Sequence, residues 1–427
     1  MISKPAFLSH LVGIMCLTTG LIHSRVSFAQ TAIDPPHILF IYASGGWDPT
    51  MVFDNKLDSE YIDKEPGLSA TTGAGNIPFL QHPNRPAVNS WFQSYGSNAV
   101  IVNGIYSPSL ERQNAFAGMF TAIPSGKTRA VDYLTYYAAS LRPTILAPHI
   151  VFDAPYAPGD FEQVAIKLSR VRLTEYLSGI ENGPNFSDSQ ETSLLEYHKV
   201  TWAKFLNRLH QNSIDNSKVR SIYANLLREK SLKIALRNAA TKLGSQGSES
   251  QLLRSGKLAL EMFANGSSLC ASLQAGRIRY WDTSHSHIYR QNAGFQNIFG
   301  DLSKIMGHAA TLGLQDKLLI IVASEMGKSP KFNKQQGKDP WPYTSALLWG
   351  GILNGGKVHG RTDKYLRGLK IDPVFGDQIS DNMIHPRMAN IFSAIYLAAG
   401  VPYKLINPEF KPISSILSSL SPGATLQ

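Results

Sequence analysis

Short apolar runs rich in β-branched and aromatic residues recur along the chain, each closed by glycine or polar residues. Residues 37–43 (HILFIYA) stop at Ser44-Gly45-Gly46, and 99–105, 149–154, 277–282, 318–324 and 345–350 have the same character. Runs of this length without polar alternation predict strands buried on both faces. Helical patterns separate most of them. This predicts an α/β fold, a three-layer α/β/α sandwich around a mainly parallel sheet.

The stretch 159–276 differs. Long amphipathic patterns over 191–210 and 218–242 carry many Lys and Arg, a polar break follows at 244–248, and another helical pattern runs to Met262. We read it as a helical insertion between strands, its charges forming solvated faces. Residues 55–90, rich in Gly, Pro and Asn, read as an irregular excursion after the first strand. The glycines of 350–358 predict a tight turn into a short hairpin, and 385–400 has helical periodicity that stops at Gly400, with Pro402 beyond. No internal repeat is present.

The N-terminus changes the picture of where the chain works. Lys4, a short apolar core and Ser27-Phe28-Ala29 have the layout of a signal peptide over residues 1–29, so 30–427 is expected to form the folded domain. The expected location is periplasmic or extracellular. No later segment approaches eighteen uninterrupted apolar residues, so no transmembrane segment is expected after cleavage. Cleavage also removes Cys16, leaving Cys270 and no intramolecular disulfide. The remaining chain is long enough to bury a large core without such staples.

Charge is a weaker guide. The net value of +10 drops by two with Lys4 and Arg25. A basic exported protein can meet a small anionic ester or an anionic polymer, although diffuse charge that aids solubility accounts for it as well. Charged residues make up only 17% of the chain and form no polybasic run, so specific nucleic-acid recognition is not expected.

Open α/β sheets place ligands beyond the carboxyl ends of their strands. Asp48 follows the first strand, Ser107-Pro108-Ser109 the second, Asp282 to His287 (DTSHSH) a later one, and Glu325 the next. Carboxylates, imidazoles and a hydroxyl gathered there would suit a divalent metal and a nucleophile. Structural readings stand beside these. Asp48 can cap the turn after strand one, Ser107 before Pro108 can start a helix, and one of His285 and His287 can lie on the surface.

The run 324–330 (SEMGKSP), continued by 337–342 (GKDPWP), resembles the Ser/Thr-Glu-Phe-Gly-Arg-Thr-Pro and Gly-Arg-Asp-His-Trp-Pro signature of a secreted family, domain of unknown function 1501, within the alkaline-phosphatase and sulfatase superfamily. Gly45-Gly46-Trp47-Asp48, Asp282-Thr283 and the glycine pattern of 350–363 extend the resemblance. It implies an alkaline-phosphatase-like fold and hydrolysis of a phosphate or sulfate ester. Ser109 would be the nucleophile, and Asp48, Asp282, His285 and Glu325 would be metal ligands, with His287 as an additional one. Three departures count against that chemistry: Pro340 stands where the family has a metal-binding His, Ser284 is inserted before His285, and Leu110 follows Ser109 where a His is usual. Such a site would hold its divalent metal weakly. The alternative is a non-catalytic exported binding protein using the same cleft or its basic helical surface.

Intact-mass analysis of the secreted protein should find an N-terminus at Gln30; a retained Met1 or a lipidated Cys16 would contradict the signal-peptide reading.

Overall fold

The computed structural model describes residues 35–168, residues 217–418 apart from 244–248, 278 and 377–379, and a few helical positions between 193 and 204. The chain divides into Met1–Ile33 and Asp34–Gln427. The signal-peptide region and Cys16 lie outside the described residues, as does most of the helical pattern read over 191–210.

The strands, in chain order, begin with β1 (His37–Tyr42), β2 (Ser69–Thr72), β3 (Pro78–Gln81) and β4 (Ala99–Tyr106). Then come β5 (Thr121–Ala122), β6 (Val131–Asp132), β7 (His149–Phe152), β8 (Ala165–Leu168) and β9 (Cys270–Gln274). The last are β10 (Leu318–Ala323), β11 (Gly327–Lys328), β12 (Pro340–Trp341), β13 (Tyr343–Gly350) and β14 (Lys357–His359). Eight of them form the central sheet in the order β14-β4-β13-β10-β1-β9-β7-β8. β1 lies between β10 and β9 and parallel to both, with His37 opposite Leu318 and Ile38 opposite Cys270. β13 alone runs against its neighbours β10 and β4.

Helices cover both faces. On one side lie α1 (Pro86–Tyr95), α4 (Ser217–Leu243), α5 (Gln251–Ala264) and α6 (His287–Thr311), whose apolar residues pack with Leu39, Ile41 and Ile320. On the other lie α2 (Arg112–Phe120), α3 (Tyr133–Leu141) and α7 (Met388–Ala398), packing with Ile38, Phe40 and Ile321. Successive side chains of a strand point to opposite faces, so apolar residues at both odd and even positions are what a doubly covered sheet requires. The expected three-layer α/β/α fold is therefore the observed one.

Three expectations are corrected. The strand expected at 277–282 is β9, at Cys270–Gln274. Gly276 (φ +84°) and Arg279 (φ +63°) turn the chain immediately afterwards, so 279–282 is a loop whose aromatic residues fold back on it. The stretch 159–276 is not wholly helical, because β8 and β9 lie near its two ends and both join the sheet. No hairpin follows Gly350: β14 pairs in parallel with β4 instead of returning along β13.

Replacing Ile41, fully buried at the centre of the sheet, by alanine should lower stability by about 2–5 kcal/mol, the usual cost of a large-to-small core change, read as a lower urea midpoint.

Candidate functional site: a buried ionic cluster at the sheet edge

β1 ends where Gly45 and Gly46 adopt φ of +114° and +89°. A Cβ on Gly45 would lie 2.4 Å from the Asp282 amide nitrogen, so only glycine lets the two loops touch. The loop then delivers Asp48. Its Oδ1 accepts from the Thr50 amide (3.0 Å) and hydroxyl (2.6 Å), capping the 3-10 turn Pro49–Met51. Its Oδ2 meets Lys338 Nζ at 2.9 Å and His287 Nε2 at 2.9 Å. All three side chains are 1% exposed.

A hydrogen-bond chain orients this group. Gln291 Nε2 donates to Thr283 Oγ1 (3.1 Å), which leaves the hydroxyl proton for His287 Nδ1 at 2.8 Å. The other ring nitrogen then carries the proton that Asp48 accepts. Gln291 also accepts from the Asp48 amide (3.0 Å) and donates to the Gly46 carbonyl (3.2 Å), tying α6 to the β1 loop. Burial pushes the His287 imidazole below its usual value, against the pull of Asp48. Burial alone would raise the Asp48 carboxyl, but the Lys338 charge and the His287 hydrogen bond outweigh it and hold the group far below the carboxylate range.

A second buried lysine lies beside the first cluster. Lys328, fully buried, donates to the Gly45 carbonyl at 2.9 Å and stands 3.9 Å from Asp282 Oδ1. Glu325 follows β10, and its Oε1 accepts from the Gly45 amide at 2.8 Å while Oε2 accepts from Ser324 Oγ at 3.2 Å. Burial raises the Glu325 carboxyl, opposed by these hydrogen bonds and by Tyr42.

Asp48, Asp282 and Glu325 therefore all stand around the Gly45-Gly46 loop, as their positions after β1, β9 and β10 require. His285 does not join them: it is exposed, and the histidine that reaches Asp48 is His287. The Ser284 insertion and the start of α6 at His287 decide which imidazole turns inward. Ser109 follows β4, separated from β1 by β13 and β10, and its hydroxyl accepts the Glu111 amide at 3.1 Å in a local turn. Sequence reasoning missed Lys328, Lys338, Thr283 and Gln291. The two lysines were legible as the positions where the family signature has arginine.

These residues do not fit a divalent metal. Both Asp48 oxygens are engaged, one of them by an ammonium group, and both His287 nitrogens are taken. Among the described residues no group of three or more His, Cys, Asp or Glu is placed to hold a metal ion. The cavity bordered by Asp48, His287 and Lys338 measures about 10 Å³, the room one water needs and too little for a phosphate or sulfate.

Comparison with known proteins finds a family model that matches part of the chain. Residues 237–417 match the model described as "Protein of unknown function (DUF1501)", so the resemblance read from the sequence is found for that part of the chain. No curated protein matches. Among solved structures, the chain is similar to the lipoteichoic acid synthase LtaP from Listeria monocytogenes (10% identity, 90% of this chain and 77% of that one, TM-score 0.41). It is also similar to the PsFucS1 sulfatase from Pseudoalteromonas sp. (11%, 91% and 73%, 0.37) and to the alkaline phosphatase from the Antarctic bacterium TAB5 (12%, 74% and 92%, 0.32). Likeness this distant carries no argument about chemistry.

Lys338→Met should cost about 3–5 kcal/mol at neutral pH, since it leaves a buried carboxylate with one partner fewer. Asp48, depressed in the folded state, contributes stability that is complete above the unfolded carboxylate value of about 3.9 and is lost as pH falls below it. Removing Lys338 raises the folded value, so acid unfolding should begin at higher pH. Adding Asp48→Asn to Lys338→Met should recover part of the loss, as a double-mutant cycle in urea will show.

Proposed function

We propose that this is an exported, alkaline-phosphatase-like protein that has given up metal-dependent ester hydrolysis and acts by binding. The observation that carries this reading is the pair of buried ammonium groups. Lys338 is ion-paired to the carboxylate that the family resemblance makes a metal ligand, and Lys328 stands beside the second such carboxylate. Two fixed positive charges in the place of a dication repel one and neutralise the carboxylates that would attract it. Pro340 points the same way, since it offers no side-chain donor.

The hydrolase reading requires more than the residues supply. Ser109 is held in its own turn, Asp48 is sealed from solvent, and the cavity that borders it measures about 10 Å³, too small for an ester. The cleft expected to bind a partner is closed as well, which leaves the binding function to other parts of the surface. Export rests on the signal-like sequence of residues 1–29. Among the described residues, no helix is long and apolar enough to cross a membrane.

The test is an assay of the purified mature protein with p-nitrophenyl phosphate and p-nitrophenyl sulfate in the presence of zinc, magnesium, manganese or calcium. Turnover should stay at the buffer rate, and a chelator should leave the melting temperature unchanged. Stoichiometric bound metal, together with hydrolysis abolished by Asp48→Ala, would restore the enzyme reading.

A further inference from the structure

A cavity of about 550 Å³ lies away from the ionic cluster, where β9 leaves the sheet. Its size falls within the range of about 300–1,000 Å³ typical of small-molecule sites. Gln251, Arg277, Tyr280, Trp281, Asn297 and Asp301 supply its side-chain chemistry.

The wall is aromatic. Tyr280 and Trp281 meet edge to face, with centroids 6.0 Å apart at 79°. Two glycines permit this arrangement: a Cβ on Gly276 would lie 2.8 Å from the Tyr280 ring, and one on Gly294 would lie 2.7 Å from the Trp281 ring. Trp281 is buried and its Nε1 donates to the Ala275 carbonyl at 3.3 Å, so the indole is fixed, while Tyr280 is only half-buried.

The rim is polar and mixed in sign. Asp301 Oδ2 accepts from Ser250 Oγ at 2.6 Å. Burial raises the Asp301 carboxyl, with Glu249 adding to this and Ser250 and Lys304 opposing it. The Arg277 guanidinium, the Tyr280 hydroxyl and the Asn297 amide make no side-chain hydrogen bond among the described residues and point to no internal structural duty.

From this lining we infer a binding site for a neutral saccharide of one or two units. Among the described lining residues, one guanidinium and one carboxyl leave no surplus charge to select an anion or a cation. The Asn297 amide both donates and accepts, as does the Tyr280 hydroxyl, and sugar hydroxyls have the same double capacity, while the Gln251 amide is tied to Asp153. The half-buried Tyr280 ring, backed by the buried Trp281, offers an apolar face for the C–H side of a pyranose, while the polar groups fix its orientation. The inference stands on this cavity alone and holds whether or not the Asp48 cluster is catalytic.

The experiment is calorimetric titration of the mature protein, followed in parallel by tryptophan fluorescence, with glucose, galactose, N-acetylglucosamine, cellobiose, maltose and lactose. Sodium phosphate and glutamate serve as charged controls. At least one sugar should bind with a dissociation constant below about 10 mM. Tyr280→Ala and Asn297→Leu, both at positions accessible to solvent, should each weaken that binding by about tenfold or more without lowering the melting temperature. Failure of every sugar to bind overturns the inference. So does binding that neither variant changes, or occupation of the cavity by phosphate or glutamate in preference to the sugars.

Discussion

A carboxylate sealed from water has to be neutralised within the protein, and the architecture of the sheet edge follows from that requirement at Asp48. Its charge is met by Lys338 on the segment before β12 and by the imidazole of His287 at the start of α6. The same contacts join three stretches of chain that are far apart in sequence. Gln291 and Thr283 add neutral hydrogen bonds that hold the imidazole in one orientation. With one partner removed, a buried charge would remain without compensation, which is why such groups are worth more in place than their Coulomb attraction suggests.

The glycines of the β1 loop are part of the same constraint. Gly45 takes the Asp282 backbone against it, the Glu325 carboxylate on its amide and the Lys328 ammonium on its carbonyl. Any side chain there would separate the loops and open the cluster to solvent. The loop thus gathers the carboxylates of Asp48, Asp282 and Glu325 beside the ammonium groups of Lys328 and Lys338. A buried ionic cluster of this kind can hold the fold together as a structural core.

The cavity beside Tyr280 and Trp281 arises from a different cause. β9 ends at Gln274, and the chain reverses through Gly276 and Arg279, both at positive φ, before it reaches Asp282. That reversal sets two aromatic rings against α6 while leaving Arg277 and Asn297 in solvent. One loop therefore serves two purposes: its end supplies Asp282 to the ionic cluster, and its middle shapes a pocket.

Much of the fold was legible in the sequence, because strand runs such as HILFIYA and LLIIVAS are apolar on both faces and can only be buried between two layers. The carboxyl-end positions of Asp48 and Glu325 were legible for the same reason, since each follows a strand, whereas Asp282 was read at the end of a strand at 277–282 and stands instead in the loop beyond β9. Which strands run antiparallel was not, because β13 has the same apolar character in either direction. The choice between His285 and His287 was not either: they differ by two residues, and only the packing of α6 against the β1 loop turns one inward. Nor could the sequence show that Lys328 and Lys338 are buried. Lysines in a loop read as solvated, and it takes the tertiary meeting of that loop with β1 and α6 to place a carboxylate or a carbonyl at each ammonium and exclude the water between them.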